Sequence, residues 1–216
     1  MKIRTAEELH DRIADEQAWR KKELGIFRSQ VETAEWRVRP ALLRSSVALL
    51  YAHWEGFVKT VGHYYLCYLS SLKLTYQQLR PEIAAFALRT QINNFTQSER
   101  PHIHAGFVRT LREAANDRAK IPSDRDAIRT RSNLNYETLV DILCALGCDH
   151  ERYADESDLI DGQLVARRNR VVHGEEDYIH LSEWDELYRE VLTLMEDIAV
   201  QILNAAVEKT YFAWRS

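Results

Sequence analysis

The chain has 216 residues, 45% of them apolar and 29% charged, with a formal net charge of −4. That balance suits a soluble globular protein with one core, and it excludes a generic, strongly basic nucleic-acid coat. Glycine and proline are scarce, at 7 and 4, which favours helix over a turn-rich β architecture.

A first helix is expected over about Ala6 to Glu35. It is polar, with a sparse apolar stripe of Leu9, Ile13, Trp19, Leu24, Phe27 and Val31. A second begins near Pro40, a residue suited to a first helical position, and continues through Leu43, Val47, Leu50, Tyr51, Trp54, Phe57, Val61, Tyr65 and Leu69. Apolar over more than half its circumference, it is expected at the centre of the fold. Pro81, Pro101 and Pro122 punctuate the middle of the chain, where short helices are expected around Ile83–Leu88, Ile103–Ala115 and Tyr136–Leu146. Gly147 suits the stop of the last of these. A further helix runs from about Ser157 to Val172, followed by His173 and Gly174. The clearest apolar stripe, from Trp184 through Leu187, Val191, Leu194, Ile198 and Ile202 to Val207, marks a helix over about Ser182 to Trp214. Ser182 is its expected cap, with Asp185 three residues on. The sum is an all-α bundle of long antiparallel helices with a short-helix insertion, read as one domain over residues 1–216.

Charge is uneven along the chain. Residues 80–131 carry ten Arg/Lys against six Asp/Glu, and residues 141–200 carry five against sixteen. Arg167, Arg168 and Arg170 form a basic island in that acidic half. The three cysteines, Cys67, Cys144 and Cys148, have neither a disulfide framework nor zinc spacing and are read as reduced core thiols. The first residues lack the apolar stretch of a signal peptide, and no segment reaches the roughly 18 apolar residues of a membrane span, so a cytoplasmic location is expected. No His/Asp/Glu set has metal-ligand spacing, and there is neither a phosphate-cradling glycine loop nor a nucleophile elbow. No metal or cofactor is expected.

The stretch Arg168-Asn169-Arg170-Val171-Val172-His173-Gly174 carries the most chemistry. Asn169 and His173 lie one turn apart on one face, and Arg168 and Arg170 reach the same region. Val171 and Val172 are expected to lock the last turn against the core. A guanidinium can neutralise a phosphodiester and an imidazole can move a proton. An arginine four to six residues before a histidine is common by chance, with about two such pairs expected here. The context, a helix stopped by glycine, raises its weight. The alternative reading is a plain basic helix end whose cations satisfy terminal carbonyls.

This stretch resembles the Arg-polar-x-x-x-His signature of the HEPN superfamily (higher eukaryotes and prokaryotes nucleotide-binding domains). A second stretch, Arg44 to Lys59 with Tyr51-Ala52-His53-Trp54-Glu55-Gly56 at its heart, resembles the second helix of a prokaryotic HEPN subfamily. The resemblance implies an all-α bundle that dimerises, with Arg/His motifs of two protomers facing each other and cutting RNA without a metal, in toxins or phage defence. It implies Arg168 and His173 as the catalytic pair, with Arg167 a competitor for the arginine role. Asn169 would orient the imidazole or hold a phosphate oxygen. Glu55 either pairs with Lys59 one turn on or orients Arg168. Arg167, Arg170 and Lys59 are expected to contact RNA. His53 is expected to be structural and Trp54 core. Implied partners are RNA, a second copy of the chain, and an antitoxin or defence-system protein, with no membrane. The alternative is a non-catalytic HEPN-like module that binds RNA, a nucleotide or a partner protein; a third reading is a helical dimerisation scaffold.

Overall fold

The computed structural model describes residues 2–215. Among the described residues eight α-helices follow one another: α1 (Ala6–Thr33), α2 (Arg39–Ser71), α3 (Pro81–Ala87), α4 (Arg89–Thr96), α5 (Pro101–Glu113), α6 (Tyr136–Ala145), α7 (Ala166–Val172) and α8 (Leu181–Val207). The described residues form no strand, only isolated bridges between Thr75 and Arg118 and between Leu79 and Phe212. The all-α expectation holds.

The long helices α1, α2 and α8 pack on one another, and α2 is the hub, touching α1, α7 and α8. Its wide apolar surface accounts for that. Leu50, Trp54, Phe57, Val61, Tyr65 and Leu69 are all completely buried. Each such side chain contributes roughly 1.5–3 kcal/mol when removed from water. Thr5 caps α1 by accepting the Glu8 N–H at 3.1 Å, and Pro40 sits in the first turn of α2.

Four local expectations are corrected. On α1 the buried slot expected for Trp19 belongs to Arg20, and Trp19 is 46% exposed with its ring 4.4 Å from the Arg20 guanidinium. At the start of α8, His180 replaces Ser182 as the cap, with its N–H on Glu183 Oε2 at 2.9 Å. The same helix stops at Val207, where Lys209 takes φ +58° and Thr210 N–H bonds Ala205 O, a stop that no glycine announces. Finally, the helix expected from Ser157 is a π-helix over Asp158–Val165 that tightens into α7.

Candidate functional site

Tyr51, Trp54 and Glu55 lie within one turn of α2, and all three fasten the segment that precedes α6. The Tyr51 hydroxyl accepts the Leu134 N–H at 2.7 Å, Trp54 Nε1 donates to Leu134 O at 3.4 Å, and Glu55 Oε1 accepts the Thr130 hydroxyl. That segment in turn presents Asn133 to α7. Arg168 Nη1 donates to Asn133 Oδ1 at 2.7 Å and to Asn169 Oδ1 at 2.8 Å, while its guanidinium carbon sits 4.7 Å from the centroid of the Tyr51 ring. Two amide oxygens and one aromatic face thus hold the arginine, and no carboxylate does. Nη2 and Nε have no acceptor among the described residues, so donors and charge remain for an anion.

The neighbouring arginines differ. Arg170 Nε and Nη2 meet Asp177 Oδ1 at 3.0 and 2.9 Å, and Arg167 Nη1 meets Asp177 Oδ2 at 3.5 Å and Tyr178 O at 3.2 Å. Both, expected on RNA, share one buried carboxylate, and Glu183 Oε2 lies 3.9 Å from Arg167 Nη2. Of the three α7 arginines, Arg168 alone is outside an ion pair among the described residues.

His173 ends α7. Gly174, at φ +77°, donates to Val171 O at 3.2 Å, and Glu175 N–H reaches Arg170 O at 2.9 Å. These two bonds form a Schellman stop, which a residue with a Cβ adopts only under strain. The same pair of bonds ends α6 at Gly147. The turn leaves the His173 imidazole exposed, with no hydrogen-bond partner among the described residues. It also overturns the expectation for the valines. Val172 is 59% exposed and Val171 half-buried, because α7 is short and buries none of its residues.

The other expected site residues divide. Glu55 stays beside the site through Thr130 but neither touches Arg168 nor pairs with Lys59; Asn133 and Asn169 orient the arginine instead. Asn169 therefore serves the guanidinium, not the imidazole. Lys59, two turns and about 12 Å along α2 from Tyr51, lines a separate cavity of about 620 Å³ with Glu16, His63, Tyr64 and Arg125. His53, two positions from Tyr51, points the other way: its Nε2 meets Glu23 at 2.8 Å and it contacts Arg20, so it joins α1 to α2 as expected of a structural histidine. Gly56 makes room there, since a Cβ would lie 3.1 Å from Arg20 Nη1. Burial pushes the Tyr51 phenol up to about 12, and neighbouring Glu55 adds to the rise. Tyr51 is therefore a neutral platform for the arginine at ordinary pH.

A family model described as MAE_28990-like HEPN matches residues 9–211. The chain belongs to the HEPN superfamily. No curated protein and no solved structure gives a significant match. The HEPN match takes in α2, the Asn133 segment and α7, the three parts that meet at Arg168.

The residues that sequence reading missed are Asn133, Asp177 and Arg44. Arg44 Nη2 donates to Glu175 O at 2.6 Å, just past the histidine. Asn133 lies 35 positions from Arg168 in a segment without periodicity, so no local pattern exposed it.

Proposed function

We propose that this HEPN protein is an endoribonuclease that needs no metal, cleaving RNA by transesterification at a site built from Arg168 and His173 of two protomers. The observation that carries the reading is the state of Arg168. It is held by amide oxygens and an aromatic face, its charge uncompensated, on the same short helix as an exposed imidazole.

In this reaction the ribose 2′-OH attacks the adjacent phosphorus, the 5′-oxygen leaves, and a 2′,3′-cyclic phosphate forms. His173 takes the 2′-OH proton or supplies one to the leaving oxygen, and the facing protomer supplies the second proton-transfer group. Arg168 neutralises the phosphorane. Single-stranded RNA fits, since its backbone and 2′-OH are accessible.

The composite site requires a dimer. The apolar surface of α2 is consumed inside the protomer. The support comes from exposed apolar groups: Val172 on α7 at 59%, and Trp36 and Tyr178, each at 75%, which line one cavity with Asp177. By resemblance, such a nuclease serves as a toxin or phage-defence effector in the cytoplasm, restrained or triggered by a partner protein. No helix among the described residues is long and apolar enough to cross a membrane.

The test is incubation of the protein with single-stranded RNA in a chelator. The proposal expects cyclic-phosphate ends, lost in Arg168→Ala and in His173→Ala. RNA retained in a gel shift but left intact supports the binding module instead. Neither cutting nor binding contradicts both.

A further inference from the structure

The segment that follows His173 is fastened by three arginines. Arg44 of α2 holds the Glu175 carbonyl at 2.6 Å, and Arg167 holds the Tyr178 carbonyl at 3.2 Å. Arg167 and Arg170 together grip the Asp177 carboxylate, whose side chain is 7% exposed. An acid so deeply placed is tolerated because two guanidiniums meet it. Removing it would leave Arg170 without its carboxylate and Arg167 with only the Tyr178 carbonyl and Glu183 at 3.9 Å, and would loosen the strap between Gly174 and His180.

We propose that Asp177 is a positioning residue with two effects. Through the strap it fixes the backbone that carries His173, and by pairing with Arg167 and Arg170 it keeps both off the RNA, leaving Arg168 as the α7 cation that faces substrate. The strap begins at the Schellman turn that ends at Glu175, so slack in it passes directly to the imidazole. Misplacement of a reacting group by about 1 Å lowers a rate on the order of a hundredfold. Freed arginines, by contrast, strengthen phosphate contacts, each adding about 0.7 to the slope of log affinity against log salt for a single strand.

The nuclease part of this inference rests on the function proposed above; the strap does not. The experiment compares wild type with Asp177→Asn, which keeps the side-chain volume, and with Asp177→Ala. Hydrogen exchange reads the amides of residues 175–180, and single-turnover cleavage and gel shifts across a salt series use one single-stranded RNA. The expected results are exchange faster by about tenfold in the strap, cleavage slower by about ten- to a hundredfold, and tighter RNA binding with a salt slope steeper by about 1. Loss of fold would weaken binding, so tighter binding with slower cleavage distinguishes positioning from collapse. Unchanged exchange in the strap overturns the proposal, as does slower cleavage with an unchanged salt slope. If wild type neither cuts nor binds RNA, the function proposed above falls, and the exchange measurement alone still decides the strap.

Discussion

The guanidinium of Arg168 lies over the ring of Tyr51, 4.7 Å from its centroid, and this contact joins the helix bearing the Arg/His motif to the most buried helix of the fold. A cation–π contact in a partly desolvated place contributes about 0.5–2 kcal/mol. Tyr51 also accepts the Leu134 N–H and thereby steadies the segment bearing Asn133. The two roles separate by substitution. Tyr51→Phe keeps the platform but leaves a buried N–H unpaired, and is expected to lower stability by about 1–3 kcal/mol in denaturant unfolding. Tyr51→Ala is expected to lose more, and to weaken RNA binding as well.

Tyr51 is raised to about 12 and Cys148 to about 12, both chiefly by burial. Each binds its proton more tightly folded than unfolded. Their contribution is therefore complete below the unfolded values, about 10 and 9, and is lost as pH rises toward 12. Stability is expected to fall steeply in that alkaline window, together with the rise of tyrosinate absorbance. A stability curve flat to pH 12 would count against the buried placement.

His53 behaves in the opposite sense. Burial, then the charge of Arg20, holds its pKa below the ordinary imidazole value, with Glu23 opposing. The folded state keeps it neutral, so its contribution is present above about pH 6.5 and fades as pH falls toward the lowered value. Thermal melts between pH 5 and 8 are expected to show a smaller acid-side loss in His53→Gln than in wild type.

Two helical glycines are expected to differ in sign. A Cβ at Gly56 meets Arg20 Nη1 at 3.1 Å and Nη2 at 3.3 Å, whereas one at Gly25 meets nothing within 4 Å. Gly25→Ala is expected to stabilise by about 0.5–1 kcal/mol, as alanine does in a helix interior. Gly56→Ala is expected to destabilise by about 1–3 kcal/mol through overpacking against a buried guanidinium.

Val172 tests the dimer. An exposed valine beside the candidate histidine is covered in a composite site. Val172→Glu is expected to shift sedimentation from dimer to monomer and to abolish cleavage, with the melting temperature of the protomer little changed. Unaltered sedimentation and cleavage would remove Val172 from the interface.

Much of this arrangement was legible in the chain. The Tyr51–Gly56 stretch puts each residue to a different use: Tyr51 under Arg168, His53 on α1, Trp54 in the core, Glu55 on Thr130, and Gly56 around Arg20. Its density of meaning reflects a helix that meets neighbours on every side. Gly174 was legible because a Schellman stop demands a positive φ. Val172 was not, because hydrophobicity says nothing about a short helix that projects from the core. Asn133 was hidden by distance along the chain, and Asp177 by lying among other acids whose sequence gives no hint of which one is buried.

The most direct test is single-turnover cleavage of one single-stranded RNA, in a chelator, by wild type, Arg168→Ala, His173→Ala and the double variant. Each single substitution is expected to slow cleavage by at least about a hundredfold. Because the two residues act as a unit, the double variant is expected to be little slower than the worse single one. Cleavage at the wild-type rate by either single variant, or products lacking a 2′,3′-cyclic phosphate, would contradict the assignment.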